Sequence, residues 1–166
     1  MKNLNYSIPI IAFLLFFVLA VSTLYHGADR VDNVTYDGIA KIQGSFGEYL
    51  FGNITHLFDT KIFIILSVIL LLLLWGSKRK KDLWLSLAVL AGGAAIGEVL
   101  KMAFARDRPL GYIIQETGHS FPSGHAIKAT LFMLLLIYLY KDEIKNLAWR
   151  RCFIIISWII LVLVCF

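Results

Sequence analysis

The sequence is poor in charge and nearly devoid of cysteine. Only 16% of its 166 residues are charged, 59% are hydrophobic, and mean hydropathy is +0.77, which excludes a soluble domain and marks an integral membrane protein. Its two cysteines, Cys152 and Cys165, lie thirteen positions apart in one apolar run. That spacing excludes a bridge between them on one helix and makes both small packing residues. Paired-cysteine motifs and His-x-x-x-His spacings are lacking, so neither a metal nor a cofactor is expected. No internal repeat or broken helix supports a transporter. The net charge of +5 is accounted for by short basic links and one polar loop, which gives no cause to invoke nucleic acid.

What is present is a series of long apolar runs bounded by charge. A bilayer core needs about 20 apolar residues per helix. Runs of about that scale extend from Tyr6 to Tyr25, Ile62 to Ser77, Leu83 to Leu100, Ala126 to Tyr140 and Cys152 to Phe166. The first is longer than a signal-peptide core, despite a weak cleavage-like Ala20-Val21-Ser22, and is taken as a retained helix. The third carries Ala91-Gly92-Gly93-Ala94-Ala95 and Gly97, small residues that let helices approach closely in lipid. The expectation is an all-α, polytopic membrane helix bundle forming one domain over 1–166. Between the first two runs, Val34 to Phe58 has apolar positions at Ile39, Ile42, Phe46, Leu50 and Ile54. That near-helical spacing predicts an amphipathic helix at the outer interface.

Orientation follows from the basic links. Lys78 to Asp82 holds four basic residues and Lys141 to Arg151 another four, so both belong in the cytoplasm. The N-terminus is then inside and the segment from Lys101 to His125 outside. That outer segment holds Lys101, Arg106 and Arg108, against the positive-inside trend, which points to chemistry.

The same segment ends in Phe121-Pro122-Ser123-Gly124-His125. Fixed positive charge, a hydroxyl, an unhindered backbone at a helix start and a histidine able to move a proton near neutral pH are the parts of a phosphate site. The bland alternative is that the basic residues snorkel to headgroups and Pro-Ser-Gly starts an ordinary helix. It explains neither the register of His125 nor the Lys-to-Arg-Pro spacing. Glu98, three residues before Lys101, faces the same way and is a candidate partner for it. Lys128 has three open readings: snorkelling, pairing with Glu98, or substrate contact. His119 matches no motif position, and solvation or headgroup contact suits it best. His56 with Asp59 and His26 with Asp29 have the look of catalytic pairs, but a histidine near a helix end is ordinarily structural or solvated, and neither pair is assigned chemistry.

Lys101, six intervening residues, then Arg108-Pro109, followed by Pro122-Ser123-Gly124-His125, resembles the first two motifs of the type 2 phosphatidic acid phosphatase superfamily. The resemblance implies a six-helix bundle that removes phosphate from a lipid in the bilayer without metal, at the outer face of the cell membrane, through a phosphohistidine. Lys101 and Arg108 would bind phosphate oxygens, and Pro109 would fix the following turn. Ser123 with the backbone N–H groups of Gly124 and His125 would complete the cradle, and His125 would be the general acid. Arg106 and Asp107 fall in the variable stretch. The favoured substrates are undecaprenyl diphosphate and phosphatidylglycerophosphate, with phosphatidic acid also open.

The family's third motif is Ser-Arg, five residues, His, three residues, Asp, and it supplies the nucleophilic histidine. The sequence contains no Ser-Arg dipeptide. Five spans of an expected six are present, and the expectation is that the chain is C-terminally incomplete. The alternative is a non-catalytic lipid-phosphate-binding membrane protein or an inactive fragment.

Overall fold

The computed structural model describes residues 7–24, 56–107 and 118–165, and every regular element among them is helical. The chain divides into two compact units, Met1–Gly44 and Ser45–Phe166. The first contains α1 (Ser7–Leu24). The second contains α2 (Thr60–Gly76), α3 (Lys80–Phe104), α4 (Gly124–Tyr140) and α5 (Leu147–Cys165). All five expected spans are helices, whereas the amphipathic segment Val34 to Phe58 lies outside the described residues except for its last three.

Helices α3 and α5 start earlier than their apolar runs, because lysine and arginine stems cover apolar surface while their heads reach toward polar surroundings. So α3 begins at Lys80, not Leu83, and α5 includes Arg150 and Arg151. Two helices, Lys80–Phe104 and Leu147–Val164, are long and apolar enough by themselves to cross a membrane. At 18, 17 and 17 residues, α1, α2 and α4 stand at the short end of the spanning range of about 17–25. Large apolar side chains such as Leu72, Trp75, Ile96 and Trp158 are more than half exposed, an arrangement that lipid tolerates and water does not.

Helix α4 is the centre of the second unit. Ala129, Phe132, Met133, Leu135 and Leu139 are buried on it and form one cluster with Phe63, Leu70 and Leu74 of α2, Leu90 of α3, and Leu161 and Val164 of α5. The small-residue stripe of α3 performs its expected role against α4. A Cβ on Gly93 would lie 2.5 Å from Leu131 Cδ2, and one on Gly97 would lie 2.9 Å from Ile127 Cδ1. A π-helical turn, Ala88–Gly92, precedes this contact.

At the basic-link end, Arg79 ties three elements together. Its Nε donates to Asp82 Oδ2 at 2.7 Å, one terminal nitrogen pairs with Glu143, and the other donates to the Leu139 carbonyl at 3.3 Å. The guanidinium also sits 5.6 Å from the Tyr140 ring centroid.

Candidate phosphate site

At the other end of the bundle, α3 finishes and α4 begins side by side. Ala105 closes α3 in the left-handed conformation, φ 42°, with its N–H on the Lys101 carbonyl at 2.9 Å. Ser120 then ties the two ends of the intervening loop. Its N–H donates to the Arg106 carbonyl at 2.8 Å and its hydroxyl to that of Asp107 at 2.9 Å. The Phe104 and Phe121 rings meet edge to face at 5.2 Å.

These ties bring Lys101 onto the start of α4. A Cβ on Gly124 would stand 2.9 Å from Lys101 Nζ and 3.4 Å from its Cε, so only glycine admits the lysine at this distance. Two positive features meet here: an ammonium group and the positive end of the α4 helix dipole. Ser123 is the N-cap of α4, its hydroxyl oxygen accepting from the Ala126 N–H at 3.4 Å. A hydroxyl that accepts in this way keeps its own proton for a further oxygen.

His125 lies in the first turn of α4 with its side chain only 14% exposed. Its Nε2 is 2.7 Å from Asp59 Oδ1, and the second carboxylate oxygen of Asp59 is 3.0 Å from His56 Nδ1. Burial pushes the Asp59 carboxyl up, but hydrogen bonds and charge from His125 and His56 outweigh it and hold it below its usual range. Asp59 is therefore an ionised acceptor facing two imidazoles.

Of the residues expected from sequence, Lys101, Ser123, Gly124 and His125 are gathered at the α3–α4 end. Arg108 and Pro109 lie outside the described residues, as do His26 and Asp29. Among the described residues, no ion pair joins Glu98 to Lys101, which removes the expected partnership. Lys128 instead donates to Thr60 Oγ1 at 2.8 Å. Glu98 and Lys128 both line a shallow surface recess with Ala94, Gly97, Gly124 and Ile127. Sequence reasoning missed Asp59 as a partner of His125, because the two are 66 positions apart. Its only visible neighbour in sequence was His56.

A helical bundle with apolar, exposed flanks, a lysine set against a glycine at a helix start and a largely buried histidine beside it defines the class: a helical membrane protein with a polar site at one end. Residues 82–166 match the PAP2 superfamily. The chain belongs to that superfamily, and so to the membrane lipid phosphatases. It is 26% identical over 158 residues to the phosphatidylglycerophosphatase B of Bacillus subtilis (strain 168), a match covering 94% of this chain and 78% of that protein. The crystal structure of the first transmembrane PAP2 type phosphatidylglycerolphosphate phosphatase from Bacillus subtilis is similar throughout. The TM-score is 0.82 at 26% identity, covering 96% of this chain and 80% of that one.

Proposed function

We propose that the site binds the phosphate of a membrane lipid and delivers a proton to the alcohol that leaves, on the outer face of the membrane and without a metal. Phosphatidylglycerophosphate is the first candidate, because the similar Bacillus protein bears that name; undecaprenyl diphosphate and phosphatidic acid follow. The observation that carries the reading is Lys101 Nζ against Gly124 at the start of α4, with His125 next in sequence.

In this reading Lys101, Arg108, the Ser123 hydroxyl and the first N–H groups of α4 hold the phosphate oxygens. They neutralise charge that grows as the P–O bond lengthens. His125, as imidazolium, gives its proton to the bridging ester oxygen while that oxygen takes the P–O electron pair and leaves as an alcohol. The phosphoryl group passes to a nucleophile, in the phosphohistidine mechanism a histidine of the third motif, which has no counterpart among the 166 residues. The chemistry assigned to these residues is therefore phosphate binding and protonation of the leaving group.

The test is phosphate release by the full-length gene product in detergent with EDTA present, offered each of the three lipids. Release from phosphatidylglycerophosphate undiminished by EDTA is expected. Binding without release from any of them would favour a lipid-phosphate-binding protein. Membrane-impermeant thiol labelling of a cysteine placed at His119 in intact cells, and none at Lys80, is the expected sign of an outer site.

A further inference from the structure

We infer that Asp59 is a positioning residue for His125, fixing which ring nitrogen carries the transferable proton; this rests on the proposed phosphatase reading. Asp59 occupies the N-cap of α2, where an aspartate ordinarily turns its carboxylate onto the first N–H groups of its own helix. Here the side chain makes no capping hydrogen bond. Both of its oxygens are given to histidines instead, one to His125 at 2.7 Å and one to His56 at 3.0 Å.

The chemistry of the contact decides the tautomer. An ionised carboxylate only accepts, so Nε2 of His125 must hold a hydrogen. The proton that His125 gives or takes then sits on Nδ1, at the far side of the ring. Asp59 also supplies a negative charge where the surroundings are positive. The neighbouring Thr60, which accepts from Lys128, further ties the start of α2 to α4. An acid held in one orientation and one tautomer by a carboxylate follows the logic of catalytic triads, with proton donation in place of abstraction.

In the step itself the Nδ1 proton moves to the ester oxygen and the P–O bond breaks toward that oxygen. His125 is left neutral with its Nε2–H still on Asp59. The role therefore matters only when the leaving alcohol needs a proton. An alkoxide leaving from phosphatidylglycerophosphate does, whereas nitrophenolate leaving from p-nitrophenyl phosphate does not.

The experiment compares wild type with Asp59→Ala, Asp59→Glu and His125→Ala on these two substrates, and records the 15N spectrum of histidine-labelled protein. For Asp59→Ala we expect kcat on the lipid to fall about 10- to 100-fold, with KM within about threefold. Hydrolysis of p-nitrophenyl phosphate changes by less than about threefold, and Asp59→Glu recovers part of the lipid rate. In the spectrum, His125 shows an Nε2–H tautomer that Asp59→Ala releases. Equal losses on both substrates would reduce Asp59 to a structural role, and a wild-type lipid rate or an unchanged tautomer in Asp59→Ala would overturn the inference. Full lipid turnover by His125→Ala would instead sink the phosphatase assignment of His125. Because the tautomer is read without turnover, the two failures are distinguishable.

Discussion

The two ends of the bundle use the same kinds of side chain in opposite ways. At the end of the basic links, Arg79 is surrounded by its complements: Asp82, Glu143, a helix-end carbonyl and the face of Tyr140. Its hydrogen bond with Asp82, foremost, holds the guanidinium above its usual pKa despite partial burial. At the other end, the ammonium of Lys101 is pressed against a helix N-terminus, like toward like, while Asp59 is committed to two histidines. On the function proposed above, charge answered within the fold holds the fold together, and charge left facing its like is held for a ligand. That difference would separate structural from functional polarity where composition alone cannot.

That contrast is broken or sharpened by substitution. The largest expected effect is from Lys101→Met, which keeps the stem and removes the charge. The kcat/KM for lipid phosphate falls about 100-fold or more while the melting temperature is unchanged or rises, since a repulsion has been removed. Gly124→Ala comes next. The new methyl pushes Lys101 Nζ from its 2.9 Å position, and kcat/KM drops by about tenfold without unfolding the bundle. Arg79→Ala reverses the pattern: stability falls by about 1–2 kcal/mol, read as a lower melting temperature in detergent, and activity per folded molecule is retained. A loss of activity at Arg79 exceeding its loss of folded protein would abolish the distinction.

The smallest effect concerns pH. Asp59 has a folded pKa below its ordinary value, so its stabilisation is complete above the ordinary carboxylate range and is lost as pH falls through the depressed value. The melting temperature of wild type should exceed that of Asp59→Asn at pH 7, and the gap should narrow below about pH 4. A gap that widens on acidification would contradict the bridged Asp59.

Much of the fold is legible in the amino-acid sequence. Apolar runs long enough for a bilayer announce the five helices, and the small residues of the third run announce a close helix approach, which the structure places at Gly93 and Gly97 against α4. Hydropathy places the starts of α3 and α5 a few residues late, past Lys80 and Leu147, because it counts a lysine or arginine as polar along its whole length. At the site, Lys101, Ser123, Gly124 and His125 are readable since their meaning is carried by short spacing around two adjacent helix ends. Asp59 is not. Its partner is on another helix, and only tertiary packing of α2 on α4 turns an ordinary N-cap aspartate toward the histidine. The Glu98–Lys101 pairing does not form either: sequence spacing shows which neighbours share a helix face, but not that the Lys101 ammonium reaches across to Gly124 of α4.

The central claim is that the Lys101–His125 end performs the chemistry. It is tested most directly by phosphate release from phosphatidylglycerophosphate, measured for the full-length protein and for its His125→Ala variant at equal amounts of folded protein. A loss of about 100-fold or more in the variant, with an unchanged melting temperature, is the predicted result. Equal release by both proteins would contradict it.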